Sequence, residues 1–383
     1  MNHLSSFRHR RAGRGRARRL VLGMTATTLT VLGMVGGGVP TAAADTVVGT
    51  ITVGEAPAGV AITPDGARVY VTNSDGYTMS VIDTGTDTVV GTPIPVGDGA
   101  SGVGITPDGA RAYVTNYYSN TVSVIDTDTD GLVKTIPVGS PSGVAITPDG
   151  ARAYVTNFGS NTVSAIDTGT NTVVGTPIPV GTNPIGVAIT PDGARAYVAN
   201  AFGTTVSVID TDTDEVVDTI TVGNDPIGVA ITPDGARAYV TNVGDNTVSV
   251  IDIGADAVVG VPIPVGTEPR GVAITPDGAR VYVTNVGDNT VSVIDTGTKT
   301  VVETVAVGNE PFEVAITPDG TRAYVTNFDD GTVSVIAIDQ CYGSLCSGFG
   351  SLAGGGSLVG GGSTGSGGAG SLVGGGSVGS AGS

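Results

Sequence analysis

The chain has 383 residues, with 17 Lys and Arg against 35 Asp and Glu, two His, two Cys and no Trp. Seven of the 17 cations lie before residue 20, so the rest carries ten cations against 35 acids, a net charge near −25; nucleic-acid binding, which needs a basic face, is excluded. His3 and His9 both fall in the same leading stretch, so the remainder has no imidazole for a Ser-His-Asp triad or a His-held zinc or copper ion.

Residues 1–44 carry Arg at 8, 10, 11, 14, 16, 18 and 19 and no acid. An apolar run from Leu20 to Val35 follows, broken by glycine, and then Thr41-Ala42-Ala43-Ala44. A basic start, a short apolar run and small residues before a cut read as a secretory signal cleaved near Ala44–Asp45, not as a membrane span. Arg18-Arg19-Leu20-Val21-Leu22 also fits a loose twin-arginine pattern. Ordinary export is the reading adopted, because a basic leader pairs arginines by chance.

From residue 45 a single motif repeats. Thr-Pro-Asp-Gly starts at Thr63, Thr106, Thr147, Thr190, Thr232, Thr275 and Thr317, at spacings of 43, 41, 43, 42, 43 and 42. Each copy continues into Arg and Tyr-Val-Thr-Asn, as in Arg68 and Tyr70-Val71-Thr72-Asn73; the fourth copy has Ala199 in place of Thr. In the second copy strand A is Gly102–Ile105, and Thr106-Pro107-Asp108-Gly109 turns the chain with Pro fixing φ. Strand B is Arg111–Thr115, strand C Thr121–Ile125 and strand D Leu132–Val138. Their β-branched and aromatic content suits strands, and no helical period intervenes. Four antiparallel strands in about 42 residues, seven times over, predict an all-β, seven-bladed β-propeller. The repeated Asp, Tyr and Arg are expected to build blades.

The ring must close out of phase. Copy seven supplies strands A, B and C, ends in Ala337 where other copies carry Asp, and has no strand D. Thr46–Gly54 resembles Val216–Gly223, so it is expected to complete the last blade and to hide edges that would otherwise aggregate.

The copies differ in their D–A and B–C loops, which antiparallel order places on one face of the disc. Apart from the repeated Tyr, the propeller's aromatics are Tyr77, Tyr117, Tyr118, Phe158, Phe202, Phe312 and Phe328, all assigned to these loops. That face is the expected binding surface. Strand A opens with Gly in six copies (Gly59, Gly102, Gly143, Gly186, Gly228, Gly271) and with Glu313 in the seventh. Arg270 is the only cation in any D–A loop. Arg270, Phe312 and Glu313 are therefore expected together at the mouth of the central channel, as an ion pair at an exposed rim or as the recipients of a polar ligand.

Residues 340–383 are rich in Gly and Ser and carry no charge; such a chain buries too little to order itself. Cys341 and Cys346 are expected to form a small-loop disulfide, as an even pair in an exported protein.

Tyr-Val-Thr-Asn, Thr-Pro-Asp-Gly, Val-Ser-Val-Ile-Asp and the Pro-x-Gly-Val-Ala entry resemble the YVTN-repeat β-propeller family, which is similar to surface-layer proteins, over roughly residues 45–339. The scaffold also resembles lactonase propellers. The resemblance implies an extracellular or cell-surface protein. The reading is an exported, monomeric, non-enzymatic binding or scaffold protein that takes a protein, small-molecule or glycan ligand on the variable face. No catalytic residue and no metal ligand is assigned; the acidity leaves room for Ca²⁺ as a cofactor. The alternative, from scaffold analogy, is a carboxylate-dependent, lactonase-like hydrolase.

Overall fold

The computed structural model describes residues 44–339. The expected secretory signal (apart from Ala44), the Gly-rich tail and the expected Cys341–Cys346 disulfide lie outside them.

Seven antiparallel sheets follow one another, six of them running from strand A to strand D in chain order. The seventh has the order Thr46–Thr52, Thr332–Ala337, Arg322–Asn327, Pro311–Ile316. Thr46 pairs with Ala337 and Thr52 with Thr332, so the first strand of the propeller is the outer strand of the last blade, as expected. Strands A touch the strands A of both neighbouring blades in a closed cycle of seven, which places them innermost.

Burial falls in layers across each blade. Strands B and C are buried nearly throughout, and the seven Tyr of strand B are fully buried. Each core cluster draws on two adjacent blades; Tyr70, for example, packs with Val114 and Ile125 of the next blade. The small apolar runs of strands B and C match this double-sided cover. Strand D departs from it: Glu215–Thr221 is exposed except at Ile220. The outer strand therefore adds one anchoring side chain to the core and leaves the rest of its face in water. Blade 5 loosens here, its fourth strand being split into Ala257–Val258 and Ile263–Pro264.

The repeated residues hold blades to blades. In the Thr-Pro-Asp-Gly turn, Gly66 N–H donates to the Thr63 carbonyl (2.8 Å), and Gly66 takes φ 72°. The Thr63 hydroxyl donates to Asp65 (2.6 Å), which holds the Asp65 carboxyl below the usual range. Gly59 serves a different need: a Cβ there would lie 2.2 Å from the carbonyl oxygen of Ser101 in the next blade. Thr72 ties that approach together, accepting from Gly59 N–H (2.8 Å) and donating to the Ser101 carbonyl (2.7 Å).

Candidate functional site

Two groups of side chains break the sevenfold pattern on the face of the D–A and B–C loops. The first is an arc of rings across blades 2, 3 and 4. Tyr117 stands edge-on to Tyr118 (5.0 Å between centroids) and to Phe158 (5.8 Å), and Phe158 edge-on to Phe202 (6.1 Å). Tyr118 and Phe202 are about half exposed, at 47% and 51%. The edge-to-face order is the preferred one for aromatic pairs, so the rings brace each other while the two outer ones meet solvent. Tyr77 is exposed on blade 1 and has no part in the arc's contacts.

The second group lies at the junction of blades 6 and 7. Arg270 and Phe312 were assigned to loops from the sequence; they are instead the second residues of strands Pro269–Ile274 and Pro311–Ile316. The physical reason is a bulge. Pro311 pairs with Asn327 and Val314 with Val325, so three steps on strand A span two on strand B; the same slip separates Pro269 from Val272. Bulges re-aim side chains, and here the bulged pairs are Arg270-Gly271 and Phe312-Glu313. The Arg270 guanidinium sits 3.6 Å above the centroid of the Phe312 ring, which stacks on Phe328 at 5.0 Å. Glu313 keeps the backbone role of the glycine it replaces, its N–H donating to Thr326 Oγ1 (3.0 Å).

The exposed-rim expectation fails for this pair. Burial pushes the Glu313 carboxyl up to about 7, with Arg270 opposing the shift. Burial likewise lowers the Arg270 guanidinium, with Glu313 opposing, though a guanidinium stays charged at physiological pH. Both side chains keep partial access to solvent, so water tempers both shifts. An enclosed carboxyl of this kind can bind a polar ligand or exchange a proton near neutrality.

Sequence reasoning missed a set of clasps at the opposite end of the blades. Arg and Tyr of each strand B face the C–D turn of the next blade. Tyr154 hydroxyl donates to Asp214 (2.7 Å) and Arg152 pairs with it at 2.9 Å. Tyr197 and Arg195 meet Asp256 at 2.7 and 2.5 Å, and Tyr324 and Arg322 meet Asp87, both at 2.7 Å. Tyr70 donates to Asp130 (3.1 Å), with Arg68 at 3.6 Å. In blade 2 the acceptor is Asn171, and Arg111 turns back to its own Asp126 (2.6 Å). In blade 6 the carboxylate comes from Asp45, just before the closing strand. It accepts from the Tyr282 hydroxyl, from Arg280 (3.1 Å) and from Asp339 N–H (2.7 Å), while its own N–H donates to Glu303 (3.2 Å). The signal was present: the same turn position reads Asp87, Asp130, Asn171, Asp214, Asp256 and then Lys299.

A cavity of about 360 Å³ opens on that turn face between blades 6 and 7, lined by Thr275, Pro276, Asp277, Arg280, Asp319 and Ile338 among others. None of the sequence-predicted site residues lines it. Among the described residues no group of three or more His, Cys, Asp or Glu is arranged to hold a metal ion. No helix among them is long and apolar enough to cross a membrane.

Residues 230–356 match the family model described as Lactonase, 7-bladed beta-propeller. The chain is a seven-bladed propeller, and its C-terminal part is similar to that family's model. The match spans about a third of this propeller chain and takes in Arg270, Phe312 and Glu313. The propeller is also similar to a chain of the solved structure titled Kuenenia stuttgartiensis Hydrazine Synthase, at 27% identity and TM-score 0.69, covering 74% of this chain and 96% of that one. In all, 1732 solved chains match; a scaffold shared so widely does not specify a chemistry. No curated protein matches.

Proposed function

We propose that the propeller is an exported binding protein of the cell surface or envelope, released by cleavage near Ala44–Asp45. Its ligand lies across the loops of blades 2 to 4. The observation that carries this reading is the braced arc of Tyr117, Tyr118, Phe158 and Phe202, with its outer rings open to solvent. Aromatic anchors on a rigid scaffold are common sources of binding energy. The basic leader supports export, and the YVTN resemblance supports a surface location. The ligand is a protein or a glycan; stacked sugars and apolar side chains both suit exposed rings.

The test is a Tyr118→Ala, Phe202→Ala double variant of the exported protein, compared with wild type on glycan and peptide arrays. Loss of at least about tenfold in affinity with unchanged melting is expected. Full retention of every bound ligand overturns the reading.

A second reading rests on Glu313. Its carboxyl, raised to about 7 beside Arg270, has the properties of a general acid–base group, and the matched family is a lactonase family. Turnover of a lactone panel that Glu313→Gln abolishes and the double aromatic variant preserves favours hydrolysis over binding.

A further inference from the structure

The six clasps described above share one composition: a buried Tyr hydroxyl and an Arg from one blade, and an oxygen acceptor from the next. The junction of blades 5 and 6 lacks the acceptor. Arg237 and Tyr239 are in place, but the facing turn residue is Lys299, held at φ 57° like its Asp and Asn counterparts. Tyr239 is fully buried, and neither its hydroxyl nor the buried Arg237 Nη1 has a hydrogen-bond partner. A buried polar atom without a partner is destabilising and rare in a native fold.

The repeat itself identifies what fits there. At five equivalent junctions a carboxylate accepts a hydrogen bond from the Tyr hydroxyl, and the Arg pairs with that carboxylate.

We propose that this junction is a binding site for a small free carboxylate, of formate or acetate size. One carboxylate oxygen accepts from Tyr239 and the other from Arg237, in the place that Asp214 or Asp256 fills elsewhere. The blade junction is thereby completed by a solute instead of by the chain, which makes its stability depend on carboxylate concentration.

Formate titration of the exported full-length protein tests this by thermal unfolding and by calorimetry. Millimolar sodium formate is expected to raise the wild-type melting temperature by about 2–4 °C. Sodium chloride at equal ionic strength should leave it unchanged. Lys299→Asp supplies the acceptor covalently, so it should melt higher without formate and ignore added formate. Tyr239→Phe should fold and lose the formate response. An equal shift in wild type and Lys299→Asp, an equal response to chloride, or calorimetry with no heat of formate binding overturns the site.

Discussion

Two adjacent blade junctions use the same donors and end differently. Between blades 6 and 7, Arg280 and Tyr282 close on Asp45, whose side chain is fully buried. Between blades 5 and 6, Arg237 and Tyr239 face Lys299 and find no acceptor. The strands are nearly identical, Arg-Val-Tyr-Val-Thr-Asn against Arg-Ala-Tyr-Val-Thr-Asn. The contrast teaches that a blade's own sequence fixes only half of each junction. The other half is one turn residue of the following blade, and the repeat tolerates its loss once.

The strongest way to break the better junction is to remove what brings Asp45 there. Deleting residues 45–53 takes away the closing strand and the clasp together. Cooperative thermal unfolding followed by circular dichroism should vanish; a deletion protein that melts like wild type refutes the closure scheme. Asp45→Ala is the next largest change. It removes the carboxylate that the mostly buried Arg280 and the Tyr282 hydroxyl share, bringing the sound junction closer to the poor one. Breaking one side of a buried pair costs about 3–5 kcal/mol, readable as a fall in the denaturation midpoint at constant slope.

A gain should follow where the inner ladder has a comparable gap. Ala199 stands in blade 4 where other blades use Thr to bridge strand A to its neighbour. Ala199→Thr can accept from Gly186 N–H and donate to the Ile227 carbonyl. It should stabilise by about 1 kcal/mol, a rise of roughly 2–4 °C in melting. No rise would mean that the blade-4 spacing cannot take the added atoms.

The smallest effect is one of pH. Unlike the clasp carboxylates, Glu313 has no hydroxyl or guanidinium bonded to it among the described contacts, and burial raises its carboxyl from 4.5 to about 7. A raised acid costs stability where it is ionised, above its folded value. That cost is relieved as pH falls through about 7, and the relief is complete near the unfolded value. Wild type should therefore gain on Glu313→Gln as pH is lowered from 8 to 5, by an amount that channel water keeps modest. Parallel curves for the two proteins would show that the carboxyl titrates normally.

The fold was legible because its signal is periodic. Spacing, turn chemistry and the displaced strand Thr46–Gly54 fix blade number and ring closure without any long-range inference. Part of the candidate site was legible for the same reason: Glu313 and Arg270 break a sevenfold rule, and strand A had to be innermost. Their enclosure was not, because the bulges that turn Arg270 and Phe312 inward leave no mark on an apolar run. The clasps were hidden differently. Tyr282 and Asp45 lie 237 positions apart, and a repeat-by-repeat reading credits Arg and Tyr to their own blade although their acceptors belong to the next one.

Ring closure also sets the order in which the molecule can be made. Thr46 is among the first propeller residues to leave the ribosome, and its partner Ala337 is 291 positions later. Blades 1 to 6 can form as the chain emerges, but the seventh has no outer strand and the sixth no Asp45 until both ends meet. The nascent propeller is thus an open crescent with two unpaired flanks for almost the whole of synthesis. Contacts so distant in sequence form slowly, and the completed disc is a post-synthetic product.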